Sequence, residues 1–198
     1  MKIRVKEGES YVATGPGMFE LEENSHLELV QVTFANQNIS QIFEIVFLGE
    51  KASCNLKFLD LAKYSSKLET IIHVKHQVPN CKSMQVHKGL YSDESRGTLK
   101  VFVEVSKHAL GTDASQLHRS LLLSPNARVR AEPHLQIAAD AVKCKHGISI
   151  GQLDDKALFY LKTRGLDEQT ARRFLIQGFA KEIIGDNVDL EQQVLAWI

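Results

Sequence analysis

From its start to about residue 150 the chain alternates apolar and polar side chains with a period of two, and nothing else in the sequence restricts its fold as strongly. The clearest run sets Leu99, Val101, Val103 and Val105 against Lys100, Phe102 and Glu104. Successive side chains of an extended strand face opposite ways, so each such run reads as a strand with one apolar face. Further strands are predicted over 27–34, 41–48, 55–61, 68–74 and 135–139. Turn-forming clusters such as Gly49-Glu-Lys, Pro79-Asn-Cys, Asp93-Glu-Ser-Arg-Gly97 and Ser124-Pro-Asn separate them. Three related words, Gly49-Glu-Lys-Ala52, Ser106-Lys-His-Ala109 and Ser124-Pro-Asn-Ala127, each close an apolar strand. Short strands with recurring turns fit a solenoid whose coils stack on one another, and they fit an antiparallel sandwich equally well.

After Gly151 the period becomes helical. Asp154 is the expected N-cap of a short helix running to about Arg164 and closed by Gly165. Asp167 would cap a longer helix with the apolar stripe Ala171, Phe174, Leu175, Gly178, Phe179 and Ile183, ending at Gly185. A third helix is expected from about Asp189, over 190–198. The division that follows is a β core over 1–150 and a helical region over 151–198.

At 198 residues the chain can build one substantial core, with or without a small appendage. Lys plus Arg and Asp plus Glu are 24 each, so no net field draws in nucleic acid or an anionic membrane. No apolar run approaches the roughly 20 residues of a membrane helix, and no secretory pattern opens the sequence, so a cytoplasmic chain is expected. Cys54, Cys81 and Cys144 are odd in number and widely spread, which fits free thiols in a reducing compartment.

Residues 142–150 carry the most chemistry. Alternation places Val142, Cys144, His146, Ile148 and Ile150 on one strand face, with Lys143, Lys145 and Ser149 on the other. At about 3.3 Å of rise per residue, Cys144 and His146 stand roughly 6 to 7 Å apart at the backbone, close enough to share a metal ion. Two accounts stay open for them: a buried thiol and imidazole packed among aliphatic neighbours, or a pair of ligands suited to zinc or iron. The cluster His73, His76, Cys81 and His87 resembles a zinc site only superficially, because His73 and His76 face opposite sides of a strand. His26, His108, His118 and His134 are isolated in sequence and receive no role. No nucleophile elbow, phosphate loop or dinucleotide fingerprint is present, and Asp154-Asp155 is explained by helix capping.

Several words of this sequence stand together in a known order. They are Gln85-Val-His-Lys-Gly89, Ser95-Arg-Gly97, Thr112-Asp-Ala-Ser-Gln116, Leu122-Leu-Ser-Pro-Asn-Ala127, Pro133-His-Leu-Gln-Ile137, Asp140-Ala-Val-Lys-Cys-Lys-His-Gly147, Gly151-Gln-Leu-Asp-Asp155 and Leu158-Phe-Tyr-Leu-Lys-Thr-Arg-Gly165. Over roughly 71–185 the chain closely resembles the C-terminal part of the SufB/SufD family, the scaffolds of iron–sulfur cluster assembly. The resemblance implies a mainly β fold, a right-handed parallel β-helix followed by a small helical region, and it decides against the sandwich. It implies a non-catalytic subunit that pairs with a SufB-like subunit or with itself and docks a SufC-like ABC ATPase.

The Lys-Cys-Lys-His-Gly word is of the SufD type, and the resemblance places Cys144 and His146 where the two subunits meet. There they would form half of a shared site for a transient iron–sulfur cluster, with no cofactor firmly bound. It places the ATPase surface on the tail, at Leu158, Phe159, Tyr160, Leu161, Arg164, Phe174 and Phe179. Apolar residues beyond one buried stripe, Phe159, Tyr160 and Ile176 among them, suit such a surface. The tail would also serve as a lid over the apolar end of the solenoid. Two departures stand out: family members usually have an N-terminal helical region and a longer β-helix, and Thr98-Leu-Lys-Val-Phe102 replaces a usual Phe-x-Gly step. The rival class is a β-helix enzyme acting on polysaccharide or acyl substrates, which fold analogy alone leaves standing.

Overall fold

The computed structural model describes residues 1–197. Among them are twelve strands: β1 (Lys2–Val5), β2 (Ser10–Ala13), β3 (Gly17–Leu21), β4 (His26–Ala35), β5 (Ile39–Phe47), β6 (Ser53–Ala62), β7 (Lys67–His76), β8 (Lys82–Tyr91), β9 (Arg96–Val105), β10 (Asp113–Leu122), β11 (Arg128–Ile137) and β12 (Lys143–Gly151). Three helices follow, α1 (Asp155–Thr163), α2 (Glu168–Ile184) and α3 (Val188–Trp197). Odd-numbered strands form one sheet in the order β1-β3-β5-β7-β9-β11, and even-numbered strands form the other, β12-β10-β8-β6-β4-β2. Every pairing is parallel and joins a strand to the one two places on. The chain thus winds alternately through two facing sheets, which is a parallel β-solenoid with two strands per coil.

The coils stack because one corner repeats. Gly8, Asn24, Lys51, Asn80 and Gly111 occupy the left-handed region at successive turns, where glycine and asparagine are least penalised. The turns hydrogen-bond to one another as strands do: Asn24 N–H donates to the Glu50 carbonyl (2.9 Å), Asn80 N–H to Leu110 (2.8 Å) and Gly111 N–H to Ala141 (2.8 Å). Beside them Ser25, Ala52, Cys81 and Thr112 form a buried column of small side chains. Cys81 is therefore a corner residue, its thiol pushed up to about 11 by burial. Gly49-Glu-Lys-Ala52 and Ser106-Lys-His-Ala109 lie at this corner, whereas Ser124-Pro-Asn-Ala127 is a turn of the opposite one.

Between the sheets Phe19, Leu21, Leu27, Phe43, Ile45, Leu56, Phe58, Ile72, Val74 and Val103 make a continuous apolar core. Tyr91 is fully buried, and its ring leaves no space at Gly89 and Gly97, where an added Cβ would fall 2.4 and 2.3 Å from ring carbons. These are the glycines of the Gln85-Val-His-Lys-Gly89 and Ser95-Arg-Gly97 words.

The helical tail does not close the end of the solenoid. α2 and α3 pack flat on the outer face of the even-numbered sheet, where Ile176, Ala180, Ile183, Ile184 and Val194 cover Leu59, Leu61 and Leu90. This corrects the lid expected from the sequence. The reason lies in the later parts of β4, β6 and β8, whose outward residues Val30, Val32, Phe34, Leu59, Leu61, Val86 and Leu90 are apolar, so that face has to be covered by another element. Lys88 fixes the helix there. Its buried ammonium donates to the Phe179 carbonyl at 2.7 Å, lies 4.4 Å from the centre of the Phe179 ring and pairs with Glu182, whose carboxyl it holds below the usual range.

The buried stripe of α2 is also displaced from the expected one. Ala171 and Ile183 belong to it, but Ile176, Ala180 and Ile184 complete it, while Phe174 and Gly178 face solvent. Asp154 and Asp167 cap α1 and α2 as the sequence indicates, their carboxylates accepting from Lys156 N–H (2.8 Å) and Thr170 N–H (2.9 Å). Asn187, not Asp189, takes that role before α3, accepting from Leu190 N–H at 3.0 Å. The last residue of the expected third helix, Ile198, lies outside the described residues. Among the described residues no helix is long and apolar enough to cross a membrane.

Candidate functional site

β12 is the last strand of its sheet and pairs only with β10, so its outer edge carries no partner strand among the described residues. β11 ends the other sheet in the same way. Inward-facing side chains of this last coil therefore have a neighbour on one side and open space on the other. Leu135, Ile137, Ile148 and Ile150 are 36, 42, 44 and 42 % exposed, although their register partners in the preceding coil, Val103, Val105, His118 and Ser120, are buried. Free strand edges beside exposed aliphatic side chains form a surface that proteins ordinarily cover.

Cys144 and His146 lie on this surface. Register places Cys144 beside Ala114, His146 beside Gln116 and Ile148 beside His118. The alternation inferred from the sequence holds, with Val142 and Cys144 packed against the core and Lys143 and Lys145 turned outward. The packing account does not hold for His146, which is exposed, while Cys144 is half-buried. Burial, reinforced by the nearby Asp113 charge, raises the Cys144 thiol above its usual range. The thiol is thus protonated at neutral pH, and a metal would have to displace that proton to bind. Two ligands are half of a four-coordinate set for zinc or an iron–sulfur cluster.

Behind the open end the core is polar, which the sequence reading did not anticipate. Asp60, His87, His118 and Ser120 are each at least 96 % buried and form one hydrogen-bonded line. His87 Nε2 is 2.8 Å from Asp60 Oδ2, the two Nδ1 atoms of His87 and His118 are 3.0 Å apart, and His118 Nε2 is 3.0 Å from Ser120 Oγ. Thr70 and Gln41 also donate to Asp60, at 2.7 and 3.3 Å. Burial and the neighbouring His87 push His118 down to about 3. With His118 neutral, one run of donors satisfies every contact: Ser120 donates to His118, His118 Nδ1–H to His87, and His87 Nε2–H to Asp60.

The remaining histidines of the superficial zinc motif are apart, as expected. His76 lies inside, stacked on Phe47 at 4.3 Å, and His73 lies outside, stacked on Phe102 at 4.6 Å.

On the tail, Phe159, Tyr160 and Phe174 are 69, 56 and 55 % exposed, and the Arg164 guanidinium lies 5.1 Å from the centre of the Tyr160 ring. Leu158 and Leu161 are half-buried. Two residues expected at a docking surface are engaged internally instead: Ile176 is buried against the sheet and Phe179 is held by Lys88.

A parallel β-solenoid with an open C-terminal coil and a helical tail along one outer face is the class of protein these features define. A family model described as the SUF system FeS cluster assembly SufBD core domain matches residues 4–179, and the chain belongs to that family. It is 36 % identical over 152 residues to the iron–sulfur cluster assembly protein SufD of Escherichia coli (strain K12), covering 76 % of this chain and 36 % of that protein. To the chloroplastic protein ABCI7 of Arabidopsis thaliana it is 36 % identical over 164 residues, 82 % of this chain and 34 % of the relative. A SufBD family iron–sulfur cluster assembly protein of Synechocystis sp. is 42 % identical over 106 residues, 54 % of this chain and 23 % of the relative. The chain thus spans about a third or less of the length of these relatives.

Proposed function

We propose that this chain is a non-catalytic scaffold subunit of a SUF-type iron–sulfur cluster assembly complex. In this reading the open last coil pairs with a SufB-like subunit or a second copy, and Cys144 and His146 contribute half of a shared site for a transient cluster. The observation that carries the reading is the coincidence of the two unpaired strand edges, the exposed aliphatic side chains and exposed His146 on one end of a SufBD-family solenoid. Closed symmetric or pseudo-symmetric pairing is the usual way to cover such edges.

Light scattering at micromolar concentration is expected to give a dimer, or a one-to-one complex once a SufB-like partner is added; a monomer under both conditions would remove the pairing. Within the paired complex, His146→Ala, and to a lesser degree Cys144→Ala, is expected to leave assembly intact and to lower the iron and sulfide retained after anaerobic reconstitution. The reason is that a half-site of two ligands loses most of its affinity with either one. Equal retention by the original chain and the double variant would exclude both residues from a cluster site.

The exposed aromatics of the tail support docking of a SufC-like ATPase near Leu158, Phe159, Tyr160, Leu161 and Arg164. Phe159→Ala with Tyr160→Ala is expected to abolish pull-down of such an ATPase while far-ultraviolet circular dichroism stays unchanged, since neither side chain contributes to the core. Undiminished capture would exclude this surface.

A further inference from the structure

A groove between the helical tail and one corner of the solenoid gathers positive charge that nothing in the protein balances. It has a volume of about 650 Å³ and lies between the turns after β6 and β8 and the helices α2 and α3. Lys63 lines it from the first of these turns, and Arg172 and Arg173 line it from α2. Lys63 and Arg172 are half-buried, and among the described residues neither has a carboxylate partner. The Lys63 ammonium lies 5.2 Å from the ring centres of both Tyr64 and Trp197, which hold it over the groove while its N–H donors stay free. Arg173 donates to the Leu195 carbonyl at 3.2 Å and keeps its other donors. Asp93, the one carboxylate of the lining, already accepts from the Tyr64 N–H at 2.7 Å. Over the whole chain Lys plus Arg equals Asp plus Glu, so the excess here is a matter of placement. Partly desolvated cations without a countercharge favour the entry of an anion.

We propose that this groove binds a nucleoside di- or triphosphate, with its phosphates on Lys63, Arg172 and Arg173 and its base against Tyr64. Guanidinium groups match phosphate oxygens through paired N–H donors, and an ammonium adds a compact charge beside them. Three cations call for a ligand with more than one linked anionic group, which a single carboxylate does not supply. The Tyr64 ring is 57 % exposed and offers a face for stacking, and Ile176 and Leu195 add an apolar floor. The volume falls within the roughly 300–1,000 Å³ of small-molecule sites. The site binds and makes or breaks no covalent bond. Lys63, Arg172 and Arg173 belong to none of the surfaces assigned above, so the inference stands apart from pairing, cluster binding and ATPase docking.

Trp197 is the only tryptophan of the chain, so its indole N–H gives one NMR signal and that signal reports on this groove. ADP added to the ¹⁵N-labelled full chain at about 50 mM salt, without divalent cations, is expected to shift the signal saturably, with a midpoint below about 1 mM. Adenosine at the same concentrations is expected to leave it in place. Lys63→Gln with Arg172→Gln should raise the midpoint at least about 10-fold, whereas Phe159→Ala with Tyr160→Ala should not move it. The absence of a saturable shift, an equal response to sulfate at matched ionic strength, an equal response to a glutamate-rich peptide, or undiminished binding by the Lys63 and Arg172 variant would overturn the proposal. If that variant does not fold, ADP against adenosine, sulfate and the peptide on the unmodified chain decides alone.

Discussion

Lowering the pH from 6.5 to 4.5 is expected to remove about 4 kcal/mol of folding stability, a large part of what a domain this size possesses. The loss comes from His76 and His118, which burial lowers from 6.5 to about 4 and about 3. In the unfolded chain both take up a proton below pH 6.5. In the folded chain both stay neutral until far lower pH, so the unfolded state binds more protons throughout the interval and gains on the native one as pH falls. The carboxylates held low by partners, such as Glu28, Glu69 and Glu182, act in the same direction, but only below their own unfolded value of 4.5. The window from 6.5 to 4.5 therefore belongs to the histidines. Urea titrations at half-unit steps of pH should show the fall, and His76→Phe, which keeps the stack on Phe47, should halve it. A flat stability profile across that window would show that these imidazoles are not held neutral by burial.

Gly97→Ala is expected to cost about 3 kcal/mol or more, beyond the ordinary range for one added methyl group, because nothing nearby can move. Its Cβ would lie 2.3 Å from two carbons of the Tyr91 ring, and the opposite edge of that ring is already 2.4 Å from where a Cβ on Gly89 would stand. The ring is wedged between the two backbones and is 1 % exposed. Removing the obstacle should remove the penalty: Tyr91→Ala with Gly97→Ala should be no less stable than Tyr91→Ala alone, a coupling that a double-mutant cycle in urea measures directly. A cost for Gly97→Ala that persists in the Tyr91→Ala background would assign the glycine to backbone conformation instead.

Much of this protein was legible residue by residue. The apolar alternation located β4, β5, β6, β7 and β9, and the capping aspartates and closing glycines located α1 and α2. β8 and β10 escaped the same reading because their inward positions are Ser83, Gln85, His87 and Gly89, and Ala114, Gln116, His118 and Ser120. An inner face of that kind does not announce itself as a core. The available signal was the word Gln85-Val-His-Lys-Gly89, which contains two buried polar side chains, Gln85 and His87, the anchor of α2 and one wall of the Tyr91 slot.

Periodicity and capping are local properties, set by neighbours within a few residues, and so the sequence alone determined where strands alternate, where helices begin and that Cys144 and His146 share a face. Their surroundings are not local. Corresponding turn positions Lys51, Asn80 and Gly111 meet across separations of 29 and 31 residues, and contacts between α2 and β8 span 91. Only the stacked coils decided that His118 lies beside His87, that α2 covers a side of the solenoid and leaves its end open, and that His146 meets solvent there. The same inward-facing position is buried when a further strand pairs beyond it and exposed when none does, and nothing within the strand itself records which.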